Sequence, residues 1–483
     1  MRRTSIIVSL AAAGVLHVPS VLRAQSAFDR SKAPALPPAP RLVLPTVATA
    51  KLGNGITLQV VPQREVPLVQ VALTVAGGSR LDGTEPGLAS FAARMLTESA
   101  GGRDATALQG ELALLGASLT SSASWDRFVV SLNVPTRSLG AALDLMADVV
   151  QRPAFTSTDV RRQRDLRAAG ILQRRDQPNA LASLTYNSLL FPAAHPYHNP
   201  ADGDSASTAR LDSARVRGFY DRAFAPSRAK FIVVGDITPA EAAKLLGARF
   251  GRWSAAGAPL PIAPVTVTAT ANTATKIYLV DQPGAAQSVL ALGGPGVSRI
   301  SSDYPALVVM NTLLGASFSS RLNSNLRETK GYTYGIGSSF GWAPVPGAFR
   351  IGSGVRTDVT DSSLIEIFRE LKSIRDSAVS AVELARAKAY VALAIPGEFE
   401  TNADIAGQLL ELDAYGLPLS SVSAFISKVN AVTAADVQRV SRQYLPADRA
   451  TVVVVGDLAK IRAGIEKLNL GTITVLDVNA VVK

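Results

Sequence analysis

The amino-acid sequence predicts an α+β protein of two homologous halves, each a mixed sheet covered by helices, and three observations carry that prediction. The first is scale: 483 residues, 47% hydrophobic and 18% charged, suffice to bury more than one sizeable core. The second is an internal repeat. Phe219-Tyr220-Asp221-Arg222-Ala223-Phe224-Ala225-Pro226 leads through Ser227-Arg228-Ala229-Lys230 into the apolar run Phe231-Ile232-Val233-Val234 and then Gly235-Asp236. Val440-Ser441-Arg442-Gln443-Tyr444-Leu445-Pro446 leads in the same way into Thr451-Val452-Val453-Val454-Val455 and then Gly456-Asp457. Each reads as a helix end, a proline-bearing loop, a buried strand and a turn, so the chain divides in two. The third is order: strands and helices mingle without regular β-α-β alternation.

The elements follow in order. Met1-Arg2-Arg3, an apolar run over residues 6–18 and Leu22-Arg23-Ala24 before Gln25 read as a signal peptide, residues 1–24. That run falls short of the roughly 20 residues that span a bilayer, and no later segment is both long and apolar enough. The mature chain is therefore expected outside the cytoplasm, in the periplasm, with the general and twin-arginine export routes both open. Residues 25–46 form a leader rich in proline (Pro34, Pro37, Pro38, Pro40, Pro45). The first half, 47–252, has a tight turn at Gly53-Asn54-Gly55 between short strands and an alternating strand over 68–75. Helical spacing follows over 87–99 and 106–115, then a strand over 124–134 with Phe128, Val130 and Leu132 on one side, then helices over 139–150 and 157–175. Residues 253–275, rich in Ala, Pro and Thr, are the linker. In the second half, 276–483, the strand over 287–292 and the helix around 305–314 echo 67–75 and the helix from Gly87.

Composition removes several function classes. There is no cysteine, hence no disulfide, thiolate metal site or cysteine nucleophile. The formal net charge is +11, but the basic residues are spread out. The densest run, Arg161, Arg162, Arg164 and Arg167, sits with Asp159 and Asp165 in a helical stretch and reads as a solvated face. No nucleic-acid motif accompanies the charge, so no nucleic-acid partner is expected. His195 and His198, near Asp202 and Asp204, could be drawn into a metal site, but prolines make that segment a loop without the rigid face that fixes imidazoles. Gly293-Gly294-Pro295-Gly296 lacks the lysine and threonine of a phosphate loop and reads as a turn or a close backbone approach. Serines are plentiful, yet no Gly-x-Ser-x-Gly elbow occurs.

Lys51-Leu52-Gly53-Asn54-Gly55-Ile56, Gly87-Leu88-Ala89, Leu115-Gly116-Ala117 and Leu190-Phe191 to His195-Pro196-Tyr197 occur in this order with both Gly-Asp turns and with Ser319-Ser320-Arg321-Leu322-Asn323 before Leu326-Arg327-Glu328. Over that span, from about Lys51 to Asp457, the chain resembles the pitrilysin and insulinase type of zinc metallopeptidases, which includes the mitochondrial processing peptidase subunits. The resemblance implies an H-x-x-E-H helix, in which two imidazoles grip Zn²⁺ and the glutamate is general base. Those places read Ser90, Ala93 and Arg94 here, and the later acidic positions fall on Gln163 and Gly170. A hydroxyl, a methyl and a guanidinium neither hold nor use zinc.

The second half keeps what the resemblance marks as substrate-contacting, Arg327 and Tyr334 in Leu326-Arg327-Glu328-Thr329-Lys330-Gly331-Tyr332-Thr333-Tyr334. Gly331 ends the helix bearing Arg327, and the strand after it is expected to place Tyr332, Tyr334 and Ile336 on one face. A guanidinium and a phenol there can donate hydrogen bonds to a peptide carbonyl and to its developing oxyanion. Together these features imply a non-catalytic, substrate-binding subunit of an exported heterodimeric zinc peptidase. No metal is expected in this chain; zinc and the intact H-x-x-E-H motif are expected in a partner relative, and peptides as substrates. A scaffold or binding protein that uses the peptidase fold without proteolysis is the alternative. A hydrolase with an unrecognised metal site is a third.

Overall fold

The computed structural model describes residues 42–478, so the signal peptide expected over 1–24 and the leader up to residue 41 lie outside the described residues. Two six-stranded mixed sheets form the frame. The first contains β1 (Ala48–Lys51), β2 (Thr57–Pro62), β3 (Leu68–Ala76), β4 (Ser118–Ala123), β5 (Arg127–Pro135) and β6 (Ala229–Gly235) in the order β1-β2-β6-β3-β5-β4. The second contains β7 (Lys276–Asp281), β8 (Gln287–Pro295), β9 (Thr333–Phe340), β10 (Ala348–Arg356), β11 (Thr451–Gly456) and β12 (Thr472–Leu476) in the order β12-β7-β11-β8-β10-β9. β2-β6-β3-β5-β4 is thus repeated as β7-β11-β8-β10-β9. The halves differ at one edge, where β1 runs antiparallel to β2 but β12 parallel to β7.

The helices repeat as well. α1 (Leu88–Met95), α2 (Ala105–Leu114), α3 (Leu139–Gln151), α4 (Ser157–Gln173), α5 (Pro178–Leu190), α6 (Ser205–Ala209), α7 (Ser213–Ala223) and α8 (Pro239–Phe250) belong to the first half. α9 (Tyr304–Asn311), α10 (Arg321–Asn323), α11 (Thr360–Asp376), α12 (Ala381–Ala394), α13 (Asn402–Ala414), α14 (Ser421–Ala431), α15 (Ala434–Tyr444) and α16 (Leu458–Lys467) take the corresponding places in the second. Local chemistry starts several of them: Thr238 with Glu241, Ser380 with Glu383, Thr401 with Asp404 and Thr433 with Asp436 form reciprocal capping boxes at α8, α12, α13 and α15.

The central strands are buried on both faces, and the reason is an exchange between the halves. Phe231 and Val233 of β6 face the first half's own core, whereas Ile232 and Val234 pack with Ile405, Ala406 and Leu409 of α13. Reciprocally, Val452 and Val454 of β11 face the second core, and Val453 and Val455 pack with Leu181, Ala182 and Tyr186 of α5. Each half therefore covers the outer face of the other's sheet with one helix. Polar contacts lock the crossing. The Tyr186 hydroxyl donates to the Phe349 carbonyl at 2.6 Å, Asn402 Nδ2 to the Leu68 carbonyl at 3.0 Å, and Lys230 pairs with Asp413. Gly293 explains itself here: a Cβ would lie 2.6 Å from the Tyr186 hydroxyl and 2.0 Å from the Phe349 carbonyl oxygen. The glycine run is the end of β8 under a close approach, and of the two sequence readings the turn is wrong.

Other expectations shift. The helix expected over 87–99 ends at Met95, because the amides of Leu96 and Glu98 bond back only three residues, to Ala93 and Met95. The strand expected over 124–134 begins at Arg127, since 124–126 turn the hairpin from β4. Linker residues 254–275 hold no regular element but are tied down, with Gly257 and Leu260 amides on the Asp221 and Arg222 carbonyls, both at 3.1 Å. No helix of the described residues is long and apolar enough to cross a membrane.

Candidate functional site

α1 opens at Gly87, whose φ of +87° is accessible without strain only to glycine. The Asp82 carboxylate accepts from the Gly87 and Ala89 amides at 2.9 and 2.7 Å, satisfying donors that a helix start leaves open. Burial pushes that carboxyl up to about 7. From α4, Arg167 donates to the Gly87 carbonyl at 2.8 Å and lies 4.9 Å over the Phe91 ring; burial brings its guanidinium down to about 10. The arginine run of α4 is therefore not simply a solvated face. Arg167 turns inward onto α1, and Arg162, about half exposed, reaches back to the turn that follows that helix.

Two of the positions that the resemblance assigns to zinc chemistry, Arg94 and Gln163, join an ion-pair and hydrogen-bond network. Its centre is Glu98, only 6% exposed. Gln163 Nε2 donates to Glu98 Oε1 at 2.8 Å, Arg162 pairs with the other carboxylate oxygen, and Arg94 Nε stands 3.6 Å from Oε1. Arg162 is held in turn by Asp159 at 3.2 Å. Ala93 is fully buried in the first core, and the Ser90 hydroxyl donates to the Gly87 carbonyl at 3.1 Å. Gly170, two turns beyond Gln163 on α4, is exposed, and a Cβ there would meet nothing within 4 Å. The structure thus brings Arg94 and Gln163 together through Glu98 and leaves Ser90 and Gly170 outside the network. A hydroxyl, a guanidinium and a bare glycine stand at the ligand places Ser90, Arg94 and Gly170, with a second guanidinium, Arg162, on the same carboxylate as Arg94, so these residues do not fit zinc. Among the described residues, no group of three or more His, Cys, Asp or Glu could hold a metal ion.

The loop histidines are structural. His195 is buried, stacks 4.6 Å from Phe191 and accepts the Tyr197 amide on Nδ1 at 3.1 Å; burial lowers its pKa. His198 Nδ1 lies 2.7 Å from the Phe191 carbonyl oxygen.

In the second half, α10 runs on as a π-helical turn, Ser324–Thr329, that carries Arg327 and ends at Gly331 with φ +63°. The Arg327 guanidinium lies 4.5 Å over Phe318, itself 64% exposed, and Nε stands 3.4 Å from Glu328. Tyr334 sits on β9, the sheet's edge strand, and is 91% exposed. It does not share a face with buried Ile336 as alternation predicts. The β9–β10 register shifts between Ser353 and Val355, which pair with Ile336 and Thr333, so Tyr334 and Gly335 form a bulge. The Thr333 hydroxyl fills the bulge, donating to the Gly354 carbonyl at 2.7 Å and accepting the Gly335 amide at 3.0 Å. Bulges re-aim side chains, and this one turns the phenol to solvent.

Sequence reasoning missed Glu98, Arg162 and Phe318. The Arg94–Glu98 spacing of i to i+4 was a usable signal for the first; no spacing marks the other two.

Comparison with known proteins bears on the fold and the family. Residues 60–188 match the family described as insulinase (peptidase family M16), and residues 210–391 the peptidase M16 inactive domain. The chain is 29% identical over 270 residues to an uncharacterized zinc protease of Mycobacterium tuberculosis, covering 56% of this chain and 61% of that one. It thus spans about three-fifths of the length of that relative. A probable mitochondrial-processing peptidase subunit beta of Arabidopsis thaliana is 21% identical over 431 residues, 86% of this chain and 80% of its own. The crystal structure of a peptidase M16 inactive domain from Pseudomonas fluorescens superposes with a TM-score of 0.77 at 29% identity, covering 85% of this chain and 98% of that one. A protease from Helicobacter pylori shares the fold, with a TM-score of 0.79 at 19% identity over 85% of this chain and all of its own. With both domain matches in chain order on a duplicated α+β frame, the chain belongs to the insulinase-type M16 peptidase family.

Proposed function

We propose that this chain is the non-catalytic, substrate-binding subunit of an exported heterodimeric zinc peptidase, with zinc and the intact H-x-x-E-H motif on a partner chain. One observation carries the reading: Arg94 and Gln163, at places of metal chemistry, are tied with Arg162 to buried Glu98, while Tyr334 stands open to solvent and Arg327, 36% exposed, has among the described residues no closer acid than its neighbour Glu328. Arg327 is stacked on Phe318, which holds the guanidinium plane while leaving donors available. In an assembled clamshell these two residues supply one wall, and the partner supplies the zinc. The peptide lies between them as an added strand in a site that excludes folded proteins. The Arabidopsis relative's name, a processing-peptidase subunit, is in keeping with pairing.

The test mixes this chain with a motif-bearing relative encoded nearby and follows cleavage of an unfolded peptide. Wild-type chain is expected to raise the rate, and Arg327→Ala to lower kcat of the mixture roughly hundredfold, as for loss of one oxyanion donor. Tyr334→Phe is expected to act in the same direction. Cleavage by the relative alone that neither the chain nor its variants alter sinks the proposal.

A further inference from the structure

A cavity of about 340 Å³ lies in the second half between α9, α12, α13 and α14. Neither Arg327 nor Tyr334 lines it, and its argument does not rest on a partner subunit. Its central residue is Arg299, whose guanidinium lies 3.5 Å over the Tyr304 ring and 5.9 Å from Phe425, with the side chain 14% exposed. Nε is buried without an acceptor, and none of the guanidinium N–H groups donates a hydrogen bond to a described residue. The nearest acid, Glu411, stands 3.9 Å away, beyond hydrogen-bond reach. Arg321, equally buried in the same half at 16%, shows the usual outcome: a two-pronged pair with Glu383 at 3.0 and 3.1 Å.

Of the acids around the cavity, Glu411 has, among the described residues, only the distant Arg299 guanidinium as a cation. Glu398 accepts from Gln408 Nε2 at 2.9 Å, and no cation contacts it among the described residues. Burial, with Glu411 adding to it, holds the Glu398 carboxyl above its ordinary range. Val308, Ile395, Val422 and Phe425 supply apolar walls.

A ligand with a carboxylate alone would satisfy Arg299 but meet two acids, and a simple amine would leave the guanidinium donors unused. A ligand with both charges and an apolar body completes the set, and the volume lies in the range of small-molecule sites. We propose that this cavity binds an amino acid or short zwitterionic peptide with apolar side chains, its carboxylate on Arg299 and its ammonium on Glu398 and Glu411.

The experiment is calorimetric titration of the full chain with Leu-Leu, Leu-Leu amide and N-acetyl-Leu-Leu. Leu-Leu is expected to bind saturably at one site, and blocking either end to weaken binding roughly tenfold or more. Arg299→Gln is expected to do the same. Because Arg299 also packs on Tyr304, Glu411→Gln, at a more exposed position, provides a second variant with the same expectation. Absence of saturable binding up to about 10 mM, equal binding of the three ligands, or unchanged binding by both variants overturns the proposal.

Discussion

Replacing Glu98 by alanine tests whether the network around Arg94 and Gln163 is structural. Glu98 is 6% exposed, and Gln163 donates to it in a buried setting at 2.8 Å. Removing the carboxylate strands the Gln163 amide, a loss of about 1–3 kcal/mol, and forfeits its pairing with Arg162. Arg162 is 47% exposed and keeps Asp159, so its charge resolvates and the larger penalty of an orphaned buried ion does not apply. The sum is about 3 kcal/mol. Arg94, by contrast, is 63% exposed and 3.6 Å from Glu98, a surface pair worth about 0.5 kcal/mol or less. Chemical denaturation of both variants reads the difference directly. Glu98→Ala is expected to lower the unfolding free energy several-fold more than Arg94→Ala; equal costs, or a neutral Glu98→Ala, refute the description of Glu98 as the buried hub.

Asp82 gives a pH signature. Burial raises its carboxyl to about 7, from an ordinary value of about 3.8, so between those values the native state holds a proton that the unfolded chain has released. Its contribution is full below about pH 4 and is lost as pH rises through about 7. Asp82→Asn is expected to flatten the stability slope in that window, measured by denaturation at several pH values. Tyr186→Phe deletes the 2.6 Å hydrogen bond to the Phe349 carbonyl across the two halves and is expected to cost about 1–2 kcal/mol in the same assay. Tyr334→Phe, at a 91% exposed position, is expected to leave unfolding unchanged, so any effect of that variant on a complex's cleavage rate is a site effect.

The duplication was legible because Phe231 to Val234 and Thr451 to Val455 are unbroken apolar runs before matching Gly-Asp turns. What covers their outer faces was not. Neither α5 nor α13 carries a strong one-sided apolar pattern, and the exchange between halves depends on contacts far apart in sequence. β4 escaped notice because Ser118-Leu119-Thr120-Ser121-Ser122-Ala123 offers one large apolar residue to an edge strand. The absence of metal ligands at Ser90, Ala93 and Arg94 was plain from residue types alone. The replacement was not: Glu98 lies past the helix end, where a tighter turn swings it inward, and the arginine run conceals which members point in. Tyr334 was found by resemblance, but its outward aim comes from a bulge that no alternation pattern encodes.

The most direct measurement is the zinc content of this chain, purified alone, equilibrated with excess Zn²⁺ and dialysed, beside a motif-bearing relative treated identically. The relative is expected to retain stoichiometric zinc and this chain none, because Ser90, Arg94 and Gly170 stand where the resemblance requires ligands. Stoichiometric zinc retained by this chain would contradict the account.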